Sequence, residues 1–389
     1  MKEENLMRFN IKAKVGIIAA HRLPIGKFGG YYRDILPEVL YQQLIEQQFS
    51  QIDELKQTDV DQVILGNVTN QGGNLARRAA LQAGFSSSVP ALTLDCQCGS
   101  GLSAIVMAAN QILSKDARVV CSGGLESPST AHTILDHDSQ QVIKRFKMAP
   151  DGFKDLDMGV VADLTAKKLD ISRHDQDVYA LNSHSKAVSA IMAGKLSDEV
   201  YPFDQNQLIT QDQSVRFESS LAALAKLTPA FSASGTSTAG NSCPISDGVS
   251  SIILGGLDLP YAFEGYYLGQ ATVGVAPEDF LVGPIKSTEQ LLAQFDLTID
   301  DIDAVELNEA FAVQALLFQK QFQLSNEQLN GYGGALAYGH PFGATGGILI
   351  ARLLNRLNQL EKSALGIATL CIAGGMGCSI LIGNRWWGK

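Results

Sequence analysis

Residues 59–65 read DVDQVIL and residues 301–307 read DIDAVEL, and this echo constrains the fold more than any other feature of the chain. The same offset, 242 residues, carries Cys98 onto His340 and Gly101 onto Gly343. Each of these positions opens a helix of similar apolar spacing: Leu102, Ile105, Val106, Ala109, Ile112 and Leu113 in one, Ile350, Leu353, Leu354 and Leu357 in the other. Each helix leads to a β-rich segment ending in cysteine and glycines, RVVCSGG at 118–124 and IATLCIAGG at 367–375. Three matches in order predict a duplicated α/β unit. Residues 125–255 have no partner in the second half, so they are expected to form an inserted capping domain between an N-terminal half, 1–124, and a C-terminal half, 256–389. It holds a predicted helical stretch, 163–195, and the Gly/Ser/Thr-rich segment SASGTSTAGNS at 232–242. In such a fold, α/β halves facing each other under a cap, ligands sit where the halves meet, at strand-to-helix turns.

Composition narrows the function. With 46% hydrophobic and 18% charged residues, 389 residues bury a large core. No segment approaches the roughly 18 apolar residues of a membrane span, and the opening MKEENLMRFNIKAK has no apolar stretch of a secretory leader. A cytoplasmic protein is expected. A net charge of -10 argues against duplex nucleic acid or an anionic membrane as main partner. Between 140 and 230, however, eleven Lys and Arg face twelve Asp and Glu, which leaves room there for an anionic ligand. Six cysteines do not make a disulfide scaffold in a chain this long, and none has the spacing of a zinc knuckle. No metal is expected.

Cys96 ends the alternating run ALTLDC with Leu92 and Leu94, which predicts a small core residue. Cys98 stands where that strand stops and a helix begins. Unpaired N–H groups and the helix dipole there would stabilise a thiolate. The helix is apolar on nearly every face and is expected to be buried along its length. His340, in GHPFGATGG, is its counterpart across the repeat, so the two can meet as nucleophile and base. Cys371 closes a β-like run before IAGGMG, a glycine turn able to present N–H groups to an oxyanion. Cys121 and Cys378 read as core. Asn308, in ELNEAFA, fits either a helix N-cap or a side chain holding a water or an oxyanion.

The chain resembles a thiolase over nearly its whole length. The matching stretches are RLPIGKFGG at 22–30, CGSGLSA at 98–104, GGLES at 123–127, LTPAF at 227–231, TAGN at 238–241 with SDG at 246–248, NEAFA at 308–312, GHPFGATG at 339–346 and CIAGGMG at 371–377. The resemblance implies that Cys98 attacks an acyl-CoA and carries the acyl group as a thioester, with His340 taking the thiol proton. It implies that Cys371 removes the α-proton of a second acetyl-CoA. His340 and a water set by Asn308 would hold the enolate, and the N–H groups of Cys98 and Ala373 the acyl oxyanion. Arg216 would meet the adenine nucleotide of CoA, while Phe231, Ala239, Met158, Cys243, Ala310 and Phe311 would line the pantetheine and acyl region. CoA is then substrate and product, no cofactor is required, and the partners are acetyl-CoA, acetoacetyl-CoA and CoA. By the same resemblance QGGNLARRAAL, at 71–81, forms dimers that pair into a homotetramer. KRFK at 144–147 suits phosphates.

Departures from the family pattern fall at Asp157, often histidine; at Cys243 and Ala223, commonly serines that touch CoA; at Ala373, usually glycine; and at Asp95, usually asparagine. Compact size and Met158–Gly159 point to a biosynthetic acetyl-CoA acetyltransferase. The alternatives are a degradative 3-ketoacyl-CoA thiolase of broader chain length, a ketoacyl-synthase-like condensing enzyme and a non-catalytic CoA or lipid carrier on the same fold. GYGGAL at 331–336 lacks the sixth glycine and the acidic residue of a dinucleotide site.

Overall fold

The computed structural model describes residues 11–69, 72–143, 145–204 and 208–388. Among these described residues nine strands form one continuous ladder. In the first half they are β1 (Val15–Arg22), β2 (Gln62–Gly66), β3 (Ala91–Leu94), β4 (Val119–Glu126) and β5 (Ser246–Gly255). In the second half they are β6 (Gly265–Gly274), β7 (Ala304–Leu307), β8 (Leu365–Ile372) and β9 (Met376–Asn384). The spatial order is β7-β8-β9-β6-β1-β5-β4-β2-β3. β2 runs parallel to β3 and β4, and β7 runs parallel to β8; the other neighbours are antiparallel. Outward from the short β1–β6 junction the two halves therefore repeat one strand order. In the second half, the place of β3 is reduced to a single parallel bridge between Val305 and Leu329.

The helices repeat as well. α1 (Pro37–Ser50) and α2 (Leu75–Gln82) cover the outer face of the first half; α3 (Ser100–Ser114) covers the inner face. α4 (Met158–Lys168) and α5 (Arg173–Met192) belong to the insertion. α6 (Gly283–Gln294) and α7 (Ala312–Phe322) cover the outer face of the second half, and α8 (Phe342–Asn358) lies inside beside α3. α3 and α8 begin 242 residues apart, the sequence offset. One core joins Leu102, Ile105 and Ile112 of α3 to Ile350, Leu353 and Leu357 of α8, with Ile252 from the first sheet half and Leu370 and Ile380 from the second. The result is five layers, helix, sheet, helix pair, sheet, helix. Strands covered on both faces read as unbroken apolar runs, as in Ile252–Leu254 and Ile380–Ile382.

Four expectations change. Ser246–Gly255, placed with the insertion, pairs with β1 and β4 inside the first half's sheet, so the inserted segment lies between β4 and β5. The helical stretch 163–195 is broken, because Ser172 and Asp175 form a capping box that starts α5 anew. α3 is not buried all round: Met107 is 37% and Leu113 45% exposed. β3 is the outermost strand, which leaves Leu92 exposed and Cys96 half-buried rather than in the core.

Candidate active site

The central helices meet through glycines. A Cβ on Gly101 would stand 2.7 Å from the Gly343 carbonyl oxygen and 3.0 Å from the Gly346 nitrogen, and one on Gly346 would strike Leu102 N. Gly66 and Gly124 press on the same Gly343 carbonyl. This backbone-to-backbone approach explains GSGLS and GATGG, and it sets the N-termini of α3 and α8 side by side. Cys98 precedes the first and His340 the second.

Cys98 follows Gln97, whose φ of 49° lies in the left-handed region, a sharp corner tied by its N–H to Asp95 Oδ1 at 2.8 Å. That bond gives Asp95 a local turn role. The Cys98 residue is 8% exposed. Burial pushes its thiol up to about 12, against the pull of the N–H groups of Ala373 and of Cys98 itself. This corrects the sequence expectation: the helix N-terminus acts on Cys98, but desolvation outweighs it and the resting thiol is neutral. Both N–H groups assigned from the sequence to an oxyanion face the Cys98 sulfur. Ala373 lies in the β8–β9 turn, whose next residues, Gly374 and Gly375, take φ of 90° and 93°.

His340 is buried and desolvation lowers it to about 3, so its ring is neutral. Its Nδ1 lies 2.6 Å from the Thr345 hydroxyl and its Nε2 3.4 Å from Asn308 Nδ2. With an amide N–H aimed at Nε2, the consistent tautomer carries its proton on Nδ1, donated to Thr345, and keeps Nε2 as an acceptor. Asn308 is fully buried and its N–H bonds Thr369 O at 3.0 Å. It is not an N-cap: α7 starts four residues later, capped by Phe311, and the Asn308 amide oxygen has no protein partner among the described residues.

Cys371, at the end of β8, is buried, and desolvation followed by the proximity of Cys98 and Cys243 holds its thiol well above the ordinary range. Cys243 packs with Cys371, Met158, Ala310 and Phe311 in one cluster, and its N–H bonds Ala310 O at 3.1 Å. Phe231 stands edge-on to Phe311, ring centres 5.8 Å apart, directly over Gly159, where any Cβ would hit its ring. Met158–Gly159 thus seats an aromatic wall beside the Cys371 and Cys243 thiols.

The other expected ligand residues are less convergent. Ala239 is exposed in the loop beyond Phe231. Arg216 is exposed too, its backbone N–H held by His184 Nδ1 at 3.2 Å. Asp157 caps α4 through Gly159 N at 2.9 Å. Lys144 of the basic cluster and Gln71 of the expected dimer segment lie outside the described residues. Arg145 and Lys147 are paired with Asp155 and Asp151, so this part of the cluster is neutralised within the protein. Among the described residues no group of three or more His, Cys, Asp or Glu is placed to hold a metal, and no helix is long and apolar enough to cross a membrane.

Sequence reasoning missed Thr345, although it lies in the quoted GHPFGATG. It also missed Glu309, whose buried carboxylate accepts from Tyr179, Ser183, Asn330 and Leu336 N at 2.7–3.1 Å, and Glu126, whose carboxylate accepts from Gly343 N at 2.8 Å.

Comparison with known proteins gives concordant matches. The family model for the thiolase N-terminal domain matches residues 15–256, and that for the thiolase C-terminal domain matches 262–384. A putative acetyl-CoA C-acetyltransferase of Staphylococcus epidermidis is 38% identical over 96% of this chain and 99% of its own. An acetyl-CoA acetyltransferase of Chromobacterium violaceum is 37% identical over 95% of this chain and 99% of its own. The crystal structure of the Bacillus anthracis acetyl-CoA acetyltransferase superposes with a TM-score of 0.89 at 31% identity, covering 96% of this chain and 100% of that one.

Proposed function

Because this chain belongs to the thiolase family and is an acyltransferase, we propose that it is an acetyl-CoA acetyltransferase. It condenses two acetyl-CoA to acetoacetyl-CoA and CoA, and runs the reverse thiolysis, through an acetyl group on Cys98. The observation that carries this reading is the convergence of the Cys98 and Cys371 thiols with the Ala373 N–H turned toward the Cys98 sulfur. That is a nucleophile, a second thiol for proton transfer and an oxyanion donor in one enclosed place.

The proton balance closes on these residues. His340 Nε2 takes the Cys98 proton as the sulfur attacks the thioester carbonyl, and the N–H groups of Cys98 and Ala373 hold the oxyanion. Collapse expels the CoA sulfur, which takes the Cys371 proton and leaves as a thiol. Cys371 is then a thiolate and His340 an imidazolium. The thiolate removes the α-proton of the second acetyl-CoA, the imidazolium and a water on Asn308 hold the enolate oxygen, and the enolate carbon attacks the acetyl-Cys98 carbonyl. The departing Cys98 sulfur recovers its proton from His340. Every group is restored with no cofactor.

CoA would lie along Arg216 and Ala239, with its pantetheine arm between Phe231, Met158, Ala310, Phe311 and Cys243. Met158 and the Phe231–Phe311 pair beside Cys371 are the features that would favour an acetyl group over longer chains. On this reading the enzyme is cytoplasmic and homotetrameric, the latter open to light scattering.

The test is CoA-dependent loss of acetoacetyl-CoA by the purified protein beside Cys98→Ala. Rapid cleavage by the parent and none by the variant is expected; no cleavage by a folded parent would sink the assignment. Six- and eight-carbon 3-ketoacyl-CoA substrates should be cleaved far more slowly. Equal rates would move the chain to the degradative kind.

A further inference from the structure

Glu126 ends β4, is fully buried and has no part in the steps above. Its Oε2 accepts from Gly343 N at 2.8 Å and Val68 N at 3.0 Å; its Oε1 accepts from Thr69 N and Asn67 Nδ2, each at 3.0 Å, and from the Thr69 hydroxyl. Four of these donors are N–H groups that cannot reverse, so a protonated carboxyl would set its own O–H against them. This donor set suits an anion. Burial raises its proton affinity above the ordinary carboxylate value, and the same donors offset part of that rise. The five contacts join three pieces: the end of β4, the loop after β2 in the first half, and the first turn of α8 in the second.

Gly343 is three residues from His340, in the turn that fixes where the imidazole stands. We propose that ionised Glu126 is a positioning residue for acyl transfer: it ties the α8 N-terminus to the first half, so that His340 is held in register with Cys98. Its charge has a second consequence. Carried on the strand beside α3, it disfavours a free Cys98 thiolate, in line with its contribution to the raised Cys98 thiol. Near neutral pH Cys98 then loses its proton to His340 as the sulfur attacks substrate, rather than resting as a thiolate.

This inference rests on Cys98 and His340 being the reacting pair, and the experiment separates the two claims. Acetyl-enzyme formation from acetyl-CoA is followed by rapid-quench mass spectrometry in the parent, Glu126→Gln and Glu126→Asp. Alkylation of the Cys98 peptide by iodoacetamide is measured against pH in the same proteins without substrate. Glu126→Gln keeps the shape but loses the charge and turns an N–H toward fixed N–H donors. It is expected to form acetyl-enzyme on the order of 10–100-fold more slowly, as small misplacement of a reacting group does, and to be alkylated at lower pH than the parent. Glu126→Asp, still charged, should keep the parental alkylation profile. An unchanged rate and profile in Glu126→Gln would overturn the inference. So would a slower rate with an unchanged profile and equal losses of thermal stability in both variants, since that marks a merely structural residue. Failure of the parent to form acetyl-enzyme would sink the functional reading itself.

Discussion

A neutral Cys98 thiol is the main residue-scale consequence of this site. Burial holds the Cys98 thiol near 12 and the His340 imidazole near 3, so neither group titrates between about pH 5 and 10 in the unliganded protein. The thiolate fraction should then rise about tenfold per pH unit across that range. Iodoacetamide alkylation of Cys98 is expected to climb through pH 10 without levelling. A plateau from about pH 7 would show a thiolate–imidazolium pair instead. The pairing of Cys98 with His340 was legible in the sequence, because the 242-residue offset that joins them is also the offset between the helices they precede. The ionisation of Cys98 was not. A helix terminus is visible in a sequence, whereas the desolvation that outweighs it depends on distant segments, the β8–β9 turn at Ala373 and the loop at Cys243, folding against Cys98. Thr345 and Glu126 were hidden for a similar reason: each acts by a hydrogen bond that exists only once α8 is docked.

Helix crossing governs the next scale. α3 and α8 touch through Gly101, Gly343 and Gly346, and any side chain there must push backbone rather than a flexible neighbour. Gly101→Ala should cost about 1–3 kcal/mol of stability by overpacking and, on the proposed roles of Cys98 and His340, should also slow acetylation, since it shifts the start of α3 against that of α8. Thermal unfolding and acetyl-enzyme formation, measured together, check this. A variant with parental acetylation would mean that the crossing does not set the site. The repeat in helices and strands was readable wherever the offset held. It failed at β5, whose counterpart is β9, because the insertion between β4 and β5 breaks the offset. The interruption at Ser172 was missed because the apolar positions on its two sides read as one helix, while its signal, a Ser-x-x-Asp capping box, is short and local.

At the scale of the molecule, two sheet halves and an insertion are held in one arrangement by buried charge. Arg22 on β1 pairs with Asp212 at 2.6 Å and Glu199 at 2.9 Å, both in the insertion, and Arg352 on α8 pairs with Glu199 at 2.8 Å. Arg352 also lies over the Tyr338 ring, 4.4 Å from its centre. Removing one member leaves charge buried without its partner, so Arg352→Met should destabilise the protein by about 3–5 kcal/mol, read as a lower denaturant midpoint. A loss under about 1 kcal/mol would show that the network adds little. None of these pairs could be assigned from sequence, since each joins residues at least 153 positions apart.

On the proposed mechanism two thiols divide the chemistry, and intact-protein mass after incubation with acetyl-CoA reads that division directly. The parent and Cys371→Ala should each gain one acetyl group, on Cys98 by peptide mapping; Cys98→Ala should gain none. Only the parent should go on to release acetoacetyl-CoA. An acetyl group on Cys371, or normal condensation by Cys371→Ala, would contradict the assignment of nucleophile and base.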